Sequence, residues 1–262
     1  MRVCLLASGS SGNALFVETG QTRLLVDAGL SCRELTKRLA TIAVAADTID
    51  AVLVTHEHGD HVRGLGTFAR KSGAMVFASH RIGRGLRDAF GTFPMTEFEA
   101  GDPFTFRDLS IDPFPITHDV CDPVAFRIEG GEGPLGVATD LGMVTRLVEV
   151  KLTGCRLLVL ESNHDETMLL NGPYPWHLKQ RIQSRHGHLS NDQSLSLLRS
   201  LLHEGLEGIL VAHLSETNND PALVRSLFQR ELSSQNRCEP TLAIGEQSRP
   251  SPVVSLHGFR PR

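Results

Sequence analysis

The sequence predicts an α/β protein built as a four-layer αββα sandwich: two mixed sheets face to face, with helices on both outer surfaces. Two observations point there. The 262 residues fall into two halves, each carrying short apolar strands and then strand alternating with helix. No repeat, low-complexity block or linker separates the halves, so one domain is expected over residues 1–248. The Pro-rich stretch over 249–262 is expected to be a loose tail.

The elements follow in order. "RVCLLA", "NALFVE" and "RLLVD" are apolar or alternating runs divided by "SGSSGN" and "ETGQT", which carry turn chemistry. "SCRELTKRLA" opens a helix in which Ser31 and Glu34 have capping-box spacing. "DAVLVT" is a buried strand, "HVRGLGTFARKSG" a helix ended by Gly73, "AMVFAS" a strand and "RIGRGLRDAF" a helix. From Phe104 to Asp140 the chain reads as all-β, with "GGEG" as a hairpin loop. "RLLVLES" is a strand and "PYPWHLKQRIQSR" a helix. Ser190 and Gln193 cap "NDQSLSLLRSLLHE", and "LEGILVAH" returns to strand. Asp220 and Pro221 start "PALVRSLFQREL" as N-cap and first helical residue, and "PTLAIG" is a late strand.

Composition bounds the function. Aromatic residues make up only 5% of the chain, so the core must be aliphatic. A net charge of −4 gives no global electrostatic footprint for nucleic acid, although a local basic patch is compatible with it. Five scattered cysteines, odd in number and without a CxxC pair, read as reduced thiols. No apolar run reaches membrane-spanning length, and "MRVCLLASGSSGN" reads as a first strand rather than a signal peptide. A cytoplasmic protein without membrane association is expected; oligomeric state is left open.

"THEHGDH", directly after "AVLV", is the stretch that carries chemistry. In an extended segment residues two apart face the same side, so His56 and His58 can meet one cation. Asp60 and His61 follow as the chain turns into a helix and can face a neighbouring one. Imidazole with carboxylate, and no thiolate in the cluster, favours Zn²⁺, with Mn²⁺ also compatible.

"HEHGDH" after an apolar strand resembles the signature of the metallo-β-lactamase-fold hydrolases. Asp27 in "LLVDAG", His118 in "PITHD", Asp140 in "ATDLG" and His213 in "LVAHLS" match that family's later elements in order, across roughly residues 1 to 245. The resemblance implies that His56, His58 and His118 hold one metal. Asp60, His61 and His213 would hold a second, with Asp140 bridging and Asp27 orienting the loop. Asp rather than Cys at the bridging position, "HLSETNN", "LLVLESNHD" and "GHLSNDQS" resemble elements of the ribonuclease Z-like nucleases. "SGSSGNA", "HDVCDPVAF" and "NGPYPWHLKQRI" point further, to the YycJ/WalJ-like branch, whose members are metal-dependent hydrolases with nuclease activity proposed. Neither an inserted arm of the kind that grips tRNA in ribonuclease Z nor an added nucleic-acid domain of the kind found in longer ribonuclease J-like relatives is expected.

That branch implies a dinuclear hydrolase of phosphodiester bonds, a DNA or RNA exonuclease. Asp60 would accept the proton of the attacking water. His188, aimed by Glu161, would assist the leaving oxygen. Lys179, Arg181 and Arg185, with His186, form a local basic stretch. Arg181 and Arg185 stand four residues apart on the expected helix and would face a phosphate backbone. Ser10, Ser11 and Asn13 of the Gly-rich turn are further substrate-contact candidates. Two other readings remain: a hydrolase of a small thioester, lactone or cyclic phosphodiester, and a metal-stabilised regulatory scaffold without turnover.

Overall fold

A computed structural model describes residues 1–256. The first sheet contains β1 (Arg2–Ala7), β2 (Ala14–Glu18), β3 (Arg23–Val26), β4 (Ala51–Leu53), β5 (Met75–Ser79) and β6 (Met95–Phe98). The second contains β7 (Phe104–Phe106), β8 (Leu109–Pro115), β9 (Val124–Gly130), β10 (Gly133–Ala138), β11 (Leu157–Glu161), β12 (Gly208–Ala212) and β13 (Thr241–Ile244). A last strand, β14 (Val254–Ser255), joins the first sheet, giving the orders β14-β1-β2-β3-β4-β5-β6 and β13-β12-β11-β10-β9-β8-β7. Each sheet is antiparallel over one half and parallel over the other, as between β3 and β6 and between β10 and β13.

Alternation along the strands sorts the apolar residues into layers. Val3, Leu5, Leu15, Val17, Leu24, Val26 and Phe77 meet Ile111, Phe126, Ile128, Leu135, Val137, Val159 and Leu210 between the sheets. The other face of the first sheet, with Leu6, Phe16, Leu25 and Val52, packs on Leu35 and Leu39 of α1 (Cys32–Thr41) and Leu65 and Phe68 of α3 (Leu65–Ser72). α2 (Gly59–Val62) precedes α3, and α4 (His80–Phe90) follows β5 on the same side. The outer face of the second sheet, with Leu158, Leu160, Ile209 and Val211, packs on α8 (Asn191–Leu201) and α9 (Pro221–Ser233) through Leu195, Leu198, Val224 and Phe228. α5 (Arg146–Leu152) joins that layer through Val148 and Leu152, and α6 (Glu166–Asn171) and α7 (Trp176–Ile182) lie in the chain between β11 and α8. The fold is the αββα sandwich. No helix among the described residues is long and apolar enough to cross a membrane.

The caps behave as their residue types dictate. The Ser31 hydroxyl accepts from Glu34 N, and Ser190 with Gln193 forms a reciprocal capping box. Asp220 caps α9 ahead of Pro221. Several expectations need correction. The helix expected as one piece up to Gly73 is divided at Gly64, whose added Cβ would fall 2.0 Å from Leu30 O. That close approach lets Gly64 N donate to Ala28 O and fixes α2 under the loop after β3. β6, α5 and α6 are elements beyond those expected from the sequence. α7 stops at Ile182, short of the expected end. The tail expected from residue 249 instead carries β14, paired with β1, and buries Val254 and Leu256. Ser251 is buried as well, its hydroxyl accepting from Leu5 N. Residues 257–262 of that expected tail lie outside the described residues.

Candidate metal centre

The site lies where strands of both sheets end. Asp27 follows β3, His56 to His61 run from the loop after β4 into α2, and His118 follows β8. Asp140 follows β10, Glu161 ends β11 and His213 follows β12. Asp27, Asp140 and His213 each take a left-handed backbone, with φ of 63°, 58° and 57°. This conformation is disfavoured for side chains bearing Cβ and persists where surroundings hold it. It stops the strand abruptly. At His213 the backbone is fixed by its N–H donating to Ser8 Oγ at 2.6 Å and by Asn163 Nδ2 donating to its carbonyl at 3.0 Å.

Side chains far apart in sequence converge here. Ligand-type atoms of His56, His58 and His118 lie within 4.8 Å of one another, as do those of Asp60, His61 and His213. Asp140 joins a group with His56 and His61 and another with Glu161, His188 and His213, so it stands between the two triads. His56 Nε2 and His58 Nδ1 are 3.1 Å apart, and His213 Nε2 is 3.4 Å from Asp140 Oδ1. His118 Nε2, His213 Nε2 and Asp140 Oδ2 are buried and make no hydrogen bond among the described residues. Orphaned buried lone pairs from imidazole and carboxylate, all facing one another, are the donor set that a divalent cation satisfies.

The imidazoles divide by charge: against burial, Asp140 and the neighbouring carboxylates hold His61 up at about 10 and His213 well above its ordinary range, while His56 and His118 are held down. Burial, with repulsion from His61, His118 and His58, holds the His56 imidazole well below its ordinary range, in the neutral form that ligates metal. Burial likewise lowers His118. At Asp140 burial pushes upward, but the imidazoles of His213, His61 and His56 outweigh it and hold the carboxyl far down. Burial also opposes ionisation of Asp60, and contacts from His213 and His61 overcome it. The pocket stabilises its anions only by surrounding them with positive charge.

The surrounding shell fixes the ring orientations. Asp27 Oδ1 accepts from Thr55 N at 2.9 Å, while its Oδ2 takes Thr55 Oγ1 at 2.8 Å and His61 Nδ1 at 2.7 Å. Thr55 Oγ1 also stands 3.0 Å from His56 Nδ1. His118 Nδ1 donates to Gly187 O at 3.2 Å. Glu161 is fully buried. Its Oε1 accepts from His188 Nδ1 at 2.7 Å and His213 Nδ1 at 3.1 Å, and its Oε2 from Leu141 N at 2.8 Å and Leu189 N at 3.2 Å. One carboxylate therefore aims two imidazoles and ties two loops. Each used Nδ1 turns the opposite ring nitrogen inward.

A cavity of about 330 Å³ opens over these groups, lined by Asp60, His118, Asp140, His188 and His213, with Ser10, Arg181 and Tyr174 among its walls. Other expected substrate contacts are placed differently. Asn13 is buried and engaged: its Oδ1 accepts from Gly9 N, and its Nδ2 reaches Asp60 Oδ2 at 3.2 Å and His61 Nε2 at 3.1 Å. Lys179 does not face the cavity. Its Nζ is buried, donating to Leu170 O at 2.6 Å and Gly172 O at 2.8 Å. Arg185 lies beyond the end of α7, so it shares no helical face with Arg181, and it does not line the cavity. Gly142 is packed against the Arg185 carbonyl, where an added Cβ would fall 2.2 Å from that oxygen. Arg181 reaches the cavity but is paired with Asp119. Sequence reasoning missed Thr55, Asn163, Asp119 and Tyr174. "VTHEH" offered a signal for Thr55, a hydroxyl at the strand end beside the first His.

These features define a metal-dependent hydrolase scaffold. Residues 22–206 match the family model described as beta-lactamase superfamily domain, and the chain belongs to that superfamily. It is 36% identical over 234 residues to the exodeoxyribonuclease YycJ of Bacillus anthracis, covering 88% of this chain and 89% of that protein. It is equally similar to the exodeoxyribonuclease WalJ of Streptococcus pneumoniae serotype 2, at 36% identity with 87% of each covered. Among solved structures, the metallo-beta-lactamase fold protein YhfI from Bacillus subtilis superposes with a TM-score of 0.71 at 16% identity, over 95% of this chain and 98% of that one.

Proposed function

We propose that this protein is a dinuclear metal-dependent phosphodiesterase that degrades nucleic acid, and specifically an exodeoxyribonuclease. One observation carries the reading: two ligand triads flank Asp140 beneath a cavity whose wall also holds His188, backed by buried Glu161. The similarity to YycJ and WalJ over nearly the whole chain supports DNA as the substrate. His56, His58 and His118 would hold one ion and Asp60, His61 and His213 the other, with Asp140 between them. Zn²⁺ fits the imidazole-rich set, and Mn²⁺ is the alternative.

Two bound cations would supply charge to the phosphoryl oxygens and lower the pKa of a shared water. The remaining steps belong to the protein. Asp60, in the cavity wall, accepts the proton of the attacking water. His188, with Nδ1 committed to Glu161, presents Nε2 toward the cavity and protonates the departing oxygen. Glu161 keeps that imidazole aimed. Arg181 exchanges Asp119 for a substrate phosphate at the cavity mouth. Free thiols at all five cysteines support a reducing, cytoplasmic setting.

The modest cavity would also accept a small phosphodiester. A panel of end-labelled DNA, labelled RNA, bis-p-nitrophenyl phosphate and thioesters separates these readings. DNA shortened from its ends, with activity lost in Asp60→Ala at unchanged circular dichroism, is the expected outcome. Thioester turnover without DNA cleavage would overturn it, as would a metal-loaded protein inert toward every substrate.

A further inference from the structure

The sequence contains one tyrosine, Tyr174, and it stands in the wall of the metal cavity. Leu178 and Ile182 line the same cavity and, four residues apart, share one face of α7, whose start Tyr174 precedes by two residues. The other lining groups are mostly polar or ligand-type, including Ser10, Asp119, Asn163 and Ser215. A metal cleft has no evident need for an aromatic wall if phosphate alone is recognised.

The segment bearing Tyr174 is held in place. Pro173 and Pro175 flank it, and a residue before proline is confined to extended backbone. Lys179 clamps the carbonyls of Leu170 and Gly172, drawing the preceding loop onto α7. Gly172 is itself packed tightly, since an added Cβ would fall 2.6 Å from Asn218 Oδ1 and 2.7 Å from Met168 O. A preset aromatic side chain loses little freedom when a planar group stacks on it. The cavity, about 330 Å³, sits at the low end of the roughly 300–1,000 Å³ of ligand clefts. That suits one nucleotide rather than a base pair.

We propose that Tyr174, with Leu178 and Ile182, forms a stacking wall that takes one unpaired nucleobase beside the scissile phosphate. This rests on the nuclease reading and adds to it a requirement for a base removed from its helix stack. Lys179 is then a positioning residue that holds the wall.

The test uses metal-loaded protein and DNA ends protected by phosphorothioate linkages, with binding followed by anisotropy. Ends carrying a normal terminal nucleotide are compared with ends carrying an abasic one. Base–aromatic stacking predicts that the normal end binds about 5- to 150-fold more tightly. Tyr174→Phe keeps that ratio and Tyr174→Ala brings it close to one, with folding checked by circular dichroism. A ratio near one in the unaltered protein, or the same ratio in Tyr174→Ala, overturns the proposal. If the unaltered protein shows no such ratio yet digests unprotected DNA, the stacking wall alone fails. If it digests no phosphodiester at all, the nuclease reading fails with it.

Discussion

Replacing Glu161 with Gln probes the site most sharply, because the side chain keeps its shape and loses only its charge and one acceptor. Four donors meet the carboxylate: His188 Nδ1, His213 Nδ1, Leu141 N and Leu189 N. Whichever way the amide turns, its NH₂ faces either two imidazole N–H groups or two backbone N–H groups. Leaving buried donors unsatisfied costs about 1–3 kcal/mol, a fall in Tm of about 2 to 12 °C for a chain of this size. The kinetic effect is larger. Loss of an aimed general acid lowers kcat about 10²- to 10⁴-fold on DNA, whose leaving oxygen needs a proton. On bis-p-nitrophenyl phosphate the leaving phenolate departs without one, so the loss there is much smaller and reports only the disturbance of His213. His188→Ala should show the same substrate dependence. The double variant should be little worse on DNA than the poorer single one, because both remove one device. Steady-state kinetics on both substrates, with thermal melts of all three variants, make the measurement. Equal losses on the two substrates, or multiplied losses in the double variant, would refute the coupling of Glu161 to His188.

Thr55→Val removes the hydroxyl that joins Asp27 to His56, so metal affinity should fall about 10- to 100-fold with the fold retained; competition with a chromogenic chelator measures this, and unchanged affinity would show that Asp27 alone orients the rings. Burial pushes the Cys4 and Cys155 thiols up to about 11, so at pH 8 both remain protonated while exposed Cys121 reacts; mass spectrometry after brief iodoacetamide treatment should find Cys121 modified before either. Truncation after residue 250 exposes the β1 edge and removes buried Val254 and Leu256, a loss of about 3–6 kcal/mol; urea denaturation checks it, and an unchanged midpoint would mean that β14 contributes nothing.

Much of this architecture is legible in the sequence because strand and helix periodicities are local. The apolar alternation of "RVCLLA" and "ALFVE" already sorts residues between the inter-sheet core and the helix-facing core. The gathering of His118, Asp140 and His213 around His56 to His61 is not local. Order along the chain suggested it only through family resemblance. Long-range fits stayed hidden for the same reason. Gly64 splits a helix because it touches the loop after β3, and Ser251 and Val254 become ordered only against β1. Lys179 illustrates the limit for charges: a basic residue in a basic stretch reads as a phosphate contact until the backbone brings two carbonyls to it. Tyr174 carries no such signal, because a Pro-Tyr-Pro sequence has only local turn chemistry and the cavity beside it is formed by distant segments.

Metal stoichiometry followed together with DNA hydrolysis bears most directly on two cations sharing Asp140. Chelator-stripped protein is titrated with Zn²⁺ and, separately, with Mn²⁺, and bound ions and rate are read from the same samples. The expected result is negligible hydrolysis in the stripped protein and a rate that saturates as the second ion per chain binds, with Asp140→Ala failing to reach it. Full hydrolysis by the stripped protein, or a rate indifferent to bound ions, would contradict it.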